Sequence, residues 1–147
     1  MLPLLVMAVS IVLARAAGAW EWLPIESWPA ATRVGLAVMF LFTASAHFTP
    51  MKADLVRMVP SALPRPERLV AVTGVLEIAG AVGLLIPSTS RLAAYALMAL
   101  LIVMLPANVN AARIGATLRG RPATPLFLRI PMQMLWIGLL WWSAQRH

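Results

Sequence analysis

Apolar residues in this chain run in stretches about as long as a bilayer is thick. A membrane-crossing helix needs roughly 17–25 predominantly apolar residues. Four stretches meet that need: residues 33–50 (RVGLAVMFLFTASAHFTP), 69–87 (LVAVTGVLEIAGAVGLLIP), 91–112 (RLAAYALMALLIVMLPANVNAA) and 126–143 (LFLRIPMQMLWIGLLWWS). Pro50, Pro87 and Pro125 stand at their borders, where a missing backbone N–H costs least. A fifth apolar stretch, residues 2–20, precedes them. Ala17-Gly18-Ala19 has the look of a signal-peptide cleavage site, but no Lys or Arg precedes the apolar core. The segment therefore reads as a retained fifth helix.

Only 12% of the 147 residues are charged and 61% are hydrophobic, where soluble domains carry about 25% charged residues. So few charges cannot build a water-facing surface, which excludes a soluble domain. The chain has no cysteine, and this excludes disulfide scaffolds, thiol redox centres and cysteine metal sites. The formal charge of +7 comes from 12 Lys and Arg that stand singly between apolar runs. Nucleic acid is not an expected partner, since that needs a contiguous basic patch. Such spacing instead suits charges that set topology. The expected fold is all-α, without a sheet: a polytopic membrane four-helix bundle with an additional N-terminal transmembrane helix. Residues 1–32 would form the N-terminal apolar helix and an outer loop, and residues 33–147 the four-helix domain.

Orientation follows from the loops. Lys52, Arg57, Arg65 and Arg68 lie in loop 51–68, and Arg113, Arg119 and Arg121 in loop 113–125. The other side has Arg91 and Arg146, with Glu21 and Glu26 in loop 21–32. The bias places loops 51–68 and 113–125 in the cytoplasm. Trp20, Trp22, Trp28, Trp141 and Trp142 all fall at the opposite end, as an interfacial aromatic belt should. Loop 51–68 contains Pro60, Pro64 and Pro66, so it cannot be helical throughout. It is expected along the inner interface, with Met58, Val59 and Leu63 turned toward lipid or the bundle.

Ionisable groups inside a span cost about 2.5–3.5 kcal/mol each at the centre and normally face protein or water. The candidates are the ionisable His47, Glu77 and Arg129 and the amides Asn108 and Gln133. At 1.5 Å per residue they lie about 5–12 Å from the same end, that of the two basic loops. Thr73, Glu77, Gly80 and Ala81 share one helical face, with Gly74 beside it, and small residues let helices approach closely. Arg129 and Gln133 are i, i+4 neighbours. Pro106 and Pro131 free the carbonyls of Ile102 and Phe127 near the same layer. The expectation is one cluster with Glu77 paired to Arg129, serving as a ligand-binding or proton-handling pocket. The plainer alternative is a salt bridge that fixes helix register. His47 by itself reads as a hydrogen-bonded helix-end residue. No metal is expected from so few donors, and no haem, because the second histidine is His147 on the tail.

The run RVGLAVMFLFTASAHF, then MVPSALPRPERLVAVTGVLEIAGAVGLLIP, LPANVNAA and LRIPMQMLWIGLLWW resembles the DoxX-like membrane proteins. The resemblance covers residues 33–142. It rests on His47-Phe48, the proline-rich loop, the TGVLE segment with Glu77, the PAN triplet with Asn108, and the spacing of Arg129 and Gln133. It implies a four-helix bundle in the bacterial cytoplasmic (inner) membrane. Some relatives are linked to thiosulfate or quinone redox systems, others to membrane-protein assembly. A thiol–disulfide relay needs cysteines, which are lacking, so a redox role would be that of a quinone-linked accessory or anchor subunit. The first reading is a non-enzymatic module binding a small amphipathic ligand or a membrane-protein partner amid membrane lipid. The quinone-linked subunit comes second, with quinone the one cofactor left open, and a structural or assembly protein third.

Overall fold

The computed structural model describes residues 2–20, 25, 27–118 and 120–145. Glu21, Trp22, Glu26, Arg119, Arg146 and His147, used in the reading above, lie outside the described residues. The described residues are all-α apart from one short ladder. Helix α1 is Leu2–Ala19, α2 Trp28–Ser45, and a 3₁₀ turn Ala46–Phe48 follows. Helix α3 is Lys52–Met58, α4 Pro66–Leu85, α5 Ser90–Val103, α6 Leu105–Arg113 and α7 Leu126–Gln145. Leu2–Ala19, Trp28–Phe48, Pro66–Leu85 and Ser90–Arg113 are long and apolar enough to cross a membrane. Helix α7 has the length, with 20 residues, but carries Arg129 and Gln133 in its first two turns.

Helix α2 packs on α4, α4 on α5, α5 on α7, and α7 closes back on α2. These four make a ring in which α4 and α7 are diagonal. Helix α1 lies outside the ring, chiefly against α2. Their crossing is close because Gly35 has no side chain: a Cβ there would sit 2.3 Å from the Ile11 side chain and 2.9 Å from the Met7 carbonyl. Small residues at helix contacts serve this purpose in lipid, where van der Waals packing rather than hydrophobic expulsion holds helices together. The core joins Leu36, Met39 and Phe40 of α2 with Leu84, Leu97 and Leu140 of the other three. Outward-facing positions stay apolar, with Leu92, Val103 and Phe127 each at least 70% exposed. Such surface is tolerable in lipid and not in water. Trp20, Trp28 and Trp141 are exposed at the α2-start and α7-end side, opposite the basic loops.

Several boundaries differ from expectation, each for a local reason. Helix α2 begins at Trp28, inside the segment expected as outer loop, because Ser27 caps it, its hydroxyl accepting from Ala30 N at 3.3 Å, and Pro29 occupies the first turn. The division at 32/33 therefore falls within a helix. The expected 91–112 helix breaks at Met104 into α5 and α6, with Pro106 in the first turn of α6. Loop 51–68 includes α3 and the first turn of α4; Met58 is buried against the bundle, while Leu63 is exposed at 45%. Loop 113–125 holds the sheet that was not expected: β1 (Thr117–Leu118) pairs antiparallel with β2 (Arg121–Pro122). Gly120, in the connection, has φ +72°, a conformation that suits glycine in a tight turn.

Candidate functional site

Thr43 near the end of α2 and His47 in the 3₁₀ turn that continues it are four residues apart, and α4 carries Thr73 and Glu77 at the same spacing. Such pairs share a helix face, and the two faces meet. Gly74 permits it: a Cβ there would lie 2.5 Å from His47 Cβ and 2.8 Å from its Cγ. His47 Nδ1 lies 2.6 Å from the Val70 carbonyl and 3.3 Å from Thr73 Oγ1. Its Nε2 stands 3.7 Å from Glu77 Oε1. Thr43 Oγ1 donates to Glu77 Oε2 at 3.0 Å and lies 3.1 Å from the Phe40 carbonyl. His47 and Glu77 are only 5% and 4% exposed.

Asn108, Arg129 and Gln133 form a second group at the same end of the bundle. Arg129 Nη1 donates to Asn108 Oδ1 at 3.2 Å, and Asn108 Nδ2 donates to Gln133 Oε1 at 3.1 Å. The Gln133 amide donates in turn to the Leu101 carbonyl, beside the α5–α6 break. The acceptor, Leu101, is the residue before Ile102, whose carbonyl lies one turn ahead of Pro106.

The five predicted residues therefore share an end but not a cluster. No hydrogen bond or ion pair links the two groups among the described residues. The expected Glu77–Arg129 pair is not formed; the ion pairs among the described residues are His47–Glu77 and Arg57–Asp54. The reason is ring order: Glu77 on α4 faces α2, and Arg129 sits diagonally opposite on α7. Sequence reasoning also passed over Thr43, whose i, i+4 spacing to His47 was the available signal, and Asn110.

Asn110 Nδ2 donates to the Met58 carbonyl at 3.0 Å, tying α6 to the end of α3. Beside it opens a groove of about 500 Å³ lined by Pro60, Ile102, Leu105, Pro106 and Val109, with Asn110 and Arg113 as its polar members. The kink at Met104 and the proline loop after α3 create this space. It can take an apolar body and meet a polar or anionic end. Among the described residues, no three of His, Cys, Asp and Glu come together as a metal site.

These features define a multi-pass helical protein with a polar interior at one end and an open apolar groove beside it. Residues 36–144 match the family described as a domain of unknown function, DUF8561, and the chain belongs to that family. The match runs from the middle of α2 to the last turn of α7 and leaves out α1. Neither the curated proteins nor the solved structures contain a match to the chain.

Proposed function

We propose that this is a DoxX-like multi-pass protein of the bacterial cytoplasmic membrane that works as a non-enzymatic binding module for a small amphipathic ligand. Loops 51–68 and 113–125 face the cytoplasm in this reading. The observation that carries it is the groove at the α5–α6 kink. Its volume of about 500 Å³ lies within the range usual for ligand sites, which are mostly apolar with a few placed polar groups. Arg113 offers a cation at its edge and Asn110 an amide. This moves the ligand from the His47–Glu77 and Asn108–Arg129–Gln133 groups, whose members are engaged with protein partners, to the space next to them. A quinone bound there would make the chain a quinone-linked accessory or anchor subunit. The second N–H of Asn110 Nδ2, beyond the one given to Met58, supports that second reading, since it could reach a quinone carbonyl.

Dioctanoyl phosphatidylglycerol and decylubiquinone, titrated separately into the full chain in micelles, test both. Val109→Trp should block the groove and abolish binding of the true ligand class, and Arg113→Gln should weaken the phosphatidylglycerol alone. Binding that is the same in wild type and both variants would remove the groove from the proposal.

A further inference from the structure

The His47–Glu77 pair is independent of whatever occupies the groove. The Val70 carbonyl can only accept a hydrogen bond, so His47 Nδ1, 2.6 Å away, must carry a hydrogen. Thr73 has a single hydroxyl proton and lies 3.0 Å from the same carbonyl; giving it there leaves Thr73 to accept from Nδ1. In a neutral ring, Nε2 is then a lone pair. It stands 3.7 Å from Glu77 Oε1, within ion-pair reach though longer than a hydrogen bond, and a lone pair that close to a carboxylate repels it, most strongly in a buried site.

We propose that His47 and Glu77 are a proton-binding site within the bundle, holding one proton between them as a unit. Thr43 gives that proton two places to rest. When Thr43 donates to Glu77 Oε2 at 3.0 Å, Glu77 is a carboxylate and the proton sits on Nε2. When Thr43 turns its hydrogen to the Phe40 carbonyl at 3.1 Å, its oxygen accepts from a protonated Glu77 Oε2, and the ring is neutral. The pair has no net charge in either arrangement, which suits groups only 5% and 4% exposed. Binding is uptake of a single proton from water, with no other bond made or broken.

Charged groups on the neighbouring elements either have partners of their own or form no ion pair with the site. On α3, Arg57 pairs with Asp54, and Lys52 forms no ion pair with the site. On α4, Glu67 and Arg68 are in the first turn, more than two turns from Glu77. On α5, Arg91 starts the helix at the opposite end. On α2, Arg33 donates to Ser90 at 3.2 Å, and on α7, Arg129 donates to Asn108. His47 sits in the 3₁₀ turn where the chain leaves the bundle, so exchange with water at the basic-loop end is short.

The test uses the full chain in phosphatidylcholine vesicles, labelled with ¹⁵N in histidine and ¹³C at the glutamate carboxyl, and read by solid-state NMR across pH. The chain has two histidines, and His147→Gln leaves the His47 signals alone. Expected is a protonated Nδ1 at every pH, with the Nε2 and Glu77 signals changing together at one shared midpoint. Glu77→Gln should move the His47 midpoint; if that variant does not fold, the wild-type titration decides. A neutral ring protonated on Nε2 beside an ionised Glu77, or a first uptake step that moves the Nε2 signal and leaves the Glu77 signal unmoved, would overturn the proposal.

Discussion

Replacing Gly74 with alanine should be among the most damaging single-methyl additions in this protein. The added Cβ would stand 2.5 Å from His47 Cβ, 2.8 Å from its Cγ and 3.0 Å from Phe48 Cε2. Carbon atoms rest at about 3.5–4.0 Å, so the 3₁₀ turn and α4 must separate by roughly 1 Å. Overpacking of this kind costs about 1–3 kcal/mol. The same movement takes His47 Nδ1 from 2.6 Å to about 3.6 Å from the Val70 carbonyl, beyond a hydrogen bond. A buried donor left without its acceptor adds about 1–3 kcal/mol. Alanine returns about 0.5–1 kcal/mol as the better helix former, so we predict a net loss of about 1–5 kcal/mol. Gly138→Ala is the control, because a Cβ there meets nothing within 4 Å, and it should be neutral or slightly stabilising. Denaturant unfolding in micelles, followed by the fluorescence of the six tryptophans, measures both. If Gly74→Ala unfolds at the same midpoint as Gly138→Ala, the packing of His47 on α4 is wrong.

In a double-mutant cycle, Glu77→Gln and Arg129→Gln should be additive to within about 0.5 kcal/mol, as for residues that do not touch; a coupling well above this would put them in contact. Gln133→Leu removes the donor to the Leu101 carbonyl and the acceptor of Asn108 at a residue 1% exposed, and should cost about 1–3 kcal/mol in the same unfolding assay. Unchanged stability would mean those bonds are not made. Reporter fusions within loop 113–125 should behave as cytoplasmic, following its Lys/Arg excess; a periplasmic readout would reverse the topology.

The helices could be read because their faces are periodic. Val70, Gly74, Glu77, Ala81 and Leu84 are the buried side of α4, at the three-to-four-residue spacing that the sequence displays. Which neighbour Glu77 would face is not written in that period. Charge complementarity pointed to Arg129, but four helices that follow one another around a ring close up-and-down, placing the second and the fourth on a diagonal. Connectivity held that information and electrostatics did not. The start of α2 was carried by Ser27 and Pro29, a cap and a first-turn proline, while the charge of Arg33 drew the expected boundary inward. The break at Met104 stands two residues before Pro106, which has no N–H to give the Ile102 carbonyl, although Pro131 leaves α7 unbroken. The groove could not be foreseen, because it arises where that kink meets the loop after α3, a tertiary meeting with no local signal.

Ring order is the claim on which the two-cluster site stands, and a chain without cysteine lets it be tested directly. Thr43→Cys with Glu77→Cys places one thiol on α2 and one on α4, where the native side chains are 3.0 Å apart. Glu77→Cys with Arg129→Cys places them on α4 and α7. Both double variants would be treated in membranes with the same short bifunctional thiol reagent, and intramolecular cross-linking scored by gel mobility. The expected result is rapid cross-linking of the 43–77 pair and none of the 77–129 pair. Efficient linkage of 77 to 129, with 43 and 77 left apart, would contradict the ring and return Glu77 to Arg129.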